Sequence, residues 1–163
     1  MTPEDSLFSI AEIGIGLAGF SGLVAAFVQH PGQSWRADQK ARIVLLVALS
    51  FGMIVAALAP YALSGISDSP ALIWGAPMIA FSSLCMALLG QWVVVARKRG
   101  FKLQFPLISI PTIAGAAAIQ VLAFLSGWGW IVPYSSTVFV LGLLSILVFG
   151  AIVFLALLDS IWE

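Results

Sequence analysis

Read along the chain, apolar residues come in five long runs separated by short polar, glycine- or proline-bearing breaks, at residues 6–29, 41–65, 70–96, 106–126 and 133–158. Each run can cross a hydrocarbon core of about 30 Å, which takes about 20 helical residues. A helix on a soluble protein carries an apolar stripe, whereas these runs are apolar all round. The pattern therefore predicts five membrane-spanning helices in an all-α bundle. Proline heads three of the runs, at Pro70, Pro106 and Pro133, where its missing N–H would be unpaired anyway. The fourth run gives the weakest signal, because Pro111 falls inside it and residues 114–118 are small rather than bulky. Short connections predict one compact domain over residues 1–163.

Composition enforces the same class: 61% of the residues are apolar and 9% are charged, where soluble domains run to about half and a quarter. Seven basic and seven acidic residues cancel, which removes the electrostatic case for a nucleic-acid partner. The one cysteine, Cys85, rules out an intrachain disulfide and a multi-cysteine metal site. The N-terminal flank MTPEDS is acidic where a secretory signal would be basic, so the first run is expected to be retained as a span.

Charge placement sets the expected orientation. Arg36, Lys40 and Arg42 fall around the first connection, and Arg97, Lys98, Arg99 and Lys102 fall around the third. With five crossings these lie on one side, which the positive-inside rule makes cytoplasmic, with the N-terminus outside and the C-terminus inside. Trp74, Trp128 and Trp130 then mark the outer boundary, and Trp35, Trp92 and Trp162 the inner one. The cations read as topology determinants in general contact with lipid headgroups.

The segment SIAEIGIGLAGFSG, residues 9–22, sets a carboxylate, Glu12, inside a membrane span. A carboxylate facing lipid costs several kcal/mol, so Glu12 is expected to face protein or water. On a helical wheel the small residues Ala11, Gly14, Ala18, Gly22 and Ala25 or Ala26 form one face, and Ile13, Leu17, Phe20, Val24 and Phe27 a bulky one. Glu12 falls at the rim of the small face beside Gly16 and Gly19. The ladder Gly14, Ala18, Gly22, Ala26 has the four-residue spacing that lets membrane helices approach closely, which predicts a packing seam. Gly14, Gly16 and Gly19 match a dinucleotide-binding G-x-G-x-x-G by letter only, since that fingerprint needs a preceding strand.

Counting inward from the outer ends puts Tyr61, Pro77, Gln120, Ser136 and Thr137 at the depth of Glu12, which predicts a polar layer in the outer leaflet. On the fourth span Ser109, Thr112, Ala116 and Gln120 recur every three or four residues, so they share a face expected to pack on the first span. Two readings of the layer stay open. The polar groups either hydrogen-bond one another as interhelical glue or line a path for water or ions. Enzymatic chemistry finds little support. The single histidine, His30, stands at a helix end and cannot assemble a metal cluster, so no catalytic residue, metal or cofactor is expected. Ser34 is a candidate N-cap for the second helix, Asp38 and Arg42 an i,i+4 ion pair of small value, and Asp159 and Glu163 solvated acids.

The run AEIGIGLAGFSGLVAAF followed by SWRADQKAR resembles the start of a family of small bacterial multi-pass inner-membrane proteins, over about the first 45 residues. The resemblance implies a bacterial inner-membrane setting and carries no activity, ligand or catalytic residue with it. The combined expectation is a homo-oligomer forming a channel or permeation path for an ion or small solute around Glu12. The alternative is a non-conducting scaffold or accessory subunit.

A cysteine introduced at Ser67 is expected to react with an impermeant thiol reagent in intact cells, and one at Ser34 only after permeabilisation. Labelling of Ser34 in intact cells would reverse the orientation.

Overall fold

A computed structural model describes residues 3–28, 36–100 and 106–162. Five helices carry the chain: α1 (Pro3–Val28), α2 (Ala37–Ser64), α3 (Ala76–Arg99), α4 (Pro106–Gly127) and α5 (Ser136–Trp162). A π-helical turn, Ala71–Gly75, leads into α3. Among the described residues there is no strand. All five helices are long and apolar enough to cross a membrane, so the chain is a multi-pass membrane protein. The fourth span is a single helix despite Pro111.

α2 and α5 form the centre. Of their spans 44% is buried, against 22 to 28% for the other three. α1 packs on α2 and α5, α3 on α2 and α4, and α4 on α3 and α5. The expected seat of α4 against α1 is therefore corrected: its face of Ser109, Thr112, Ala116 and Gln120 exists, but α4 packs on its neighbours α3 and α5. Fully buried side chains come from every helix, among them Leu7, Leu46, Met53, Met78, Gln120, Phe139 and Leu143.

Where helices meet most closely the reason is glycine. A Cβ on Gly127 of α4 would lie 2.8 Å from Ile79 Cγ1 and 3.0 Å from the Gly75 carbonyl oxygen. One on Gly75 would lie 2.9 Å from the Gly127 carbonyl oxygen. Lipid supplies no hydrophobic drive between helices, so such backbone approach, with its dispersion contacts, is what holds α3 to α4. The next turn closes the bundle. Tyr134 adopts a left-handed φ of 51°, its N–H donates to the Ser126 carbonyl oxygen at 3.2 Å, and its ring lies against Gly75. Ser135 Oγ then accepts the N–H of Val138 at 3.4 Å and caps α5. Pro133 consequently belongs to the turn and does not open the fifth helix as expected.

The small-residue ladder of α1 is half right. Ala11 and Gly14 are buried, and a Cβ on Gly14 would meet Ile54 Cγ1 at 3.1 Å and Met53 Cε at 3.4 Å. Gly22 and Ala26 are exposed, and Gly22 has open space around it. The buried line instead follows Leu7, Ile10, Ala11, Gly14 and Ser21, with Leu17 against Gly150 of α5. Leu17 is thus a packing residue, not part of the bulky outer face. The cause is geometric: each four-residue step advances the side chain about 40° beyond a full turn, so a ladder of four members rotates about 120° off its face. A seven-residue repeat drifts only about 20° per step and stays on the seam.

Gly75→Ala and Gly127→Ala are each expected to destabilise the protein by about 1–3 kcal/mol through overpacking, read as thermal stability in detergent, while Gly22→Ala leaves it unchanged. Equal tolerance of all three would mean that the α3–α4 contact is not tight.

Candidate functional site: an outward carboxylate and two inward polar nodes

Glu12 lies seven residues into the apolar span Asp5–Val24, about 10 Å along its axis. Glu12 is exposed and has no hydrogen-bond or ion-pair partner among the described residues, so the single bundle does not enclose it in a layer with Gln120. Phe8, Glu12, Gly16, Gly19, Leu23 and Ala26 fall within about 40° of one line along α1, and all six are exposed. Gly16 and Gly19 have nothing within 4 Å of a built Cβ, so this line is an open shelf with a carboxylate near one end. Tyr61 of α2 sits beside it, its ring 4.9 Å from that of Phe8.

Gln120 is in a different place. It is fully buried, and its Nε2 donates to the Gly142 carbonyl oxygen at 2.8 Å and to Ser145 Oγ at 3.2 Å, both on α5. Its Oε1 is buried without a hydrogen-bond partner, as are the hydroxyls of Ser50, Ser82 and Ser126. Ser82 follows Gly75 by seven residues and Gln120 precedes Gly127 by seven, so the antiparallel contact of the two glycines brings Ser82 and Gln120 to one level of the α3–α4 seam. Of the other expected layer members, Thr137 is exposed, Ser136 is half-buried, and Thr112 is half-buried with its hydroxyl donating to the Ile108 carbonyl oxygen at 2.7 Å. Ser109 is buried and partnered. The structure thus packs Tyr61 on Phe8, one helical turn from Glu12, and sends Gln120 to a separate node between α4 and α5.

The second node was not anticipated. Arg42 is buried, donates Nη1 to the Ala156 carbonyl oxygen of α5 and lies 3.9 Å from Asp38. Asp38 also pairs with Arg36 at 3.5 Å. The i,i+4 pair exists, but it anchors a cation that ties α2 to α5 rather than decorating a wet surface. The residue signal was available: Gln39, Arg42, Leu46 and Leu49 share the three- and four-residue spacing of one buried face. The helix begins at Ala37 with Arg36 as N-cap, and the Arg36 N–H donates to Gln39 Oε1 at 3.2 Å. Ser34 and His30 lie outside the described residues, as do Lys102 and Glu163. Lys40, Arg97, Lys98 and Asp159 are exposed, and Arg99 ends α3.

Among the described residues no group of three or more His, Cys, Asp or Glu side chains is placed to hold a metal ion. No protein-family model, curated protein or solved structure matches the chain. Function therefore rests on the residues themselves.

Arg42→Met should lower stability by about 1.5–3 kcal/mol, the range for a hydrogen bond to a charged group, whereas Arg36→Met, at a half-exposed side chain, should cost less than about 1 kcal/mol. Equal effects in a detergent unfolding series would make the Arg42 bond to α5 incidental.

Proposed function

We propose that the chain is the subunit of a homo-oligomer in which the α1 shelves meet and Glu12 faces a path for ions or small solutes. The observation that carries this reading is the exposure of Glu12 on the outer surface of a membrane span. A carboxylate among acyl chains costs several kcal/mol, and a neighbouring subunit or a water-filled path removes that cost. The bare stretch at Gly16 and Gly19 leaves room for a second α1 to approach to backbone contact beside the acid. Closed symmetry around several copies places one carboxylate per subunit in a ring, the arrangement that selects cations in acid-lined pores. The setting that goes with it is a bacterial inner membrane, with the basic ends of α2 and α3 in the cytoplasm.

A second reading is supported by the position of Gln120. The amide donors are consumed inside the subunit, so no continuous polar layer extends from Glu12 through one chain. On that reading the protein is a non-conducting scaffold or accessory subunit, and Glu12 hydrogen-bonds a neighbouring chain.

Particle mass in detergent and ion flux in liposomes separate the readings. Gly16→Leu should reduce the oligomer to a folded monomer, because the position is open within the subunit. Glu12→Gln should preserve assembly and change cation conductance or its pH dependence, since the site loses its titratable charge. A monomeric parent sinks oligomerisation, and an assembled parent without flux across ions, voltages and pH leaves the scaffold.

A further inference from the structure

On the far side of α2 from the α1 shelf, a groove runs between α2 and α3. Its half toward the basic helix ends has a volume of about 330 Å³ and is walled by Ala41, Val44, Ala48 and Leu88, with Lys40, Gln91 and Trp92 at its mouth. The wall is what an acyl chain fits, and the mouth is not. Lys40 brings an ammonium, Gln91 an amide and Trp92 an indole N–H, and no carboxylate lines the groove. The side chains of these three have no hydrogen-bond or ion-pair partner among the described residues.

The register explains why the donors coincide. A Cβ on Gly52 would lie 3.1 Å from Leu84 Cδ2 and 3.7 Å from Phe81 Cε2. Carried twelve residues along two antiparallel helices, that contact brings Lys40 level with residues 93–96, next to Trp92. The local charge pattern explains why Lys40 is available. Asp38, the one acid in the first turn of α2, is shared by Arg36 and Arg42. Lys40 lies on another side of the helix and keeps its positive charge uncompensated.

From these observations we infer that the α2–α3 groove is a specific site for one anionic phospholipid of the adjacent leaflet. One acyl chain lies along Ala41, Val44, Ala48 and Leu88, and the phosphodiester accepts from Lys40, Gln91 and Trp92. A basic pocket between membrane helices with an apolar continuation is the general form of such sites. Trp92 gains a second role as an amphipathic anchor at headgroup level. Beyond Ala48 the groove continues past Gly52, Ala56 and Ala80 without any charged lining, so the chain has apolar wall along its length while the anion is bound only at one end.

The test is native mass spectrometry of the purified full chain, titrated with phosphatidylglycerol and with phosphatidylcholine carrying the same acyl chains. The parent should retain phosphatidylglycerol roughly fivefold or more in preference, the size of one surface cation's contribution. Lys40→Gln, at an exposed position, should erase the preference. Lys98→Gln, equally exposed but outside the groove, should keep it. Ala48→Trp should fill the wall and lower retention of both lipids. Equal loss in the Lys40 and Lys98 variants would reduce the effect to diffuse charge and overturn the site. So would the absence of any preference in the parent, or displacement of the lipid by millimolar inorganic phosphate, which would show that the headgroup alone is recognised.

Discussion

The structure depends on one constraint: inside a bilayer a polar group that its own chain does not satisfy has no water to turn to. The backbone meets this by being helical through every apolar run. The short polar side chains meet it locally. Ser21 donates to the Leu17 carbonyl oxygen at 2.7 Å and Thr112 to that of Ile108 at the same distance. Arg42 meets it across helices as well as locally, through the Ala156 carbonyl oxygen of α5 and the Asp38 carboxylate one turn back on α2. The price of dryness is that helices gain nothing by hiding apolar surface from one another, and the bundle is held by contacts as close as Gly75 on Gly127.

Ranking polar groups by how well the chain satisfies them separates structure from candidate function. Ser21 and Thr112 are bonded within their own helices, and Arg42 to α5 and Asp38. Gln120 is divided: its amide donors are bound to α5, while Oε1 stays buried and unpaired at the level where Ser82 Oγ is also unpaired. Such a pair of orphans suits a bridging water more than it suits a pathway, because the surroundings are closed packing. Glu12 is the opposite case, accessible and unburied, so its requirement points outward, to another chain or to water. Lys40 also points outward, but at a helix end where headgroup anions are within reach.

Much of the fold was legible because membrane helices are announced by length and composition, which survive any error in face assignment. All five spans were found, and their ends shift by only a few residues, as at Pro133, where a Tyr134 turn and a Ser135 cap delay α5. Faces were less legible. A four-residue ladder read on a flat wheel looked like a seam, yet accumulated rotation carries Gly22 and Ala26 to the outside and brings Leu17 in against Gly150. Helix neighbours were least legible, since depth can be counted along a sequence but lateral position cannot. Tyr61 and Gln120 share an expected depth with Glu12, yet Tyr61 packs on Phe8 of the same helix while Gln120 is bound to α5.

The placement of α2 links the two outward-facing features. It packs α1 through the side that holds Ser50, Met53 and Ile54 and turns Ala41, Val44 and Ala48 toward the groove with α3. The α1 shelf and the lipid groove therefore lie on different helices and share no residue. Arg42 projects from the same helix to α5, so α2 is tied to α5 two residues from Lys40 at the groove's mouth.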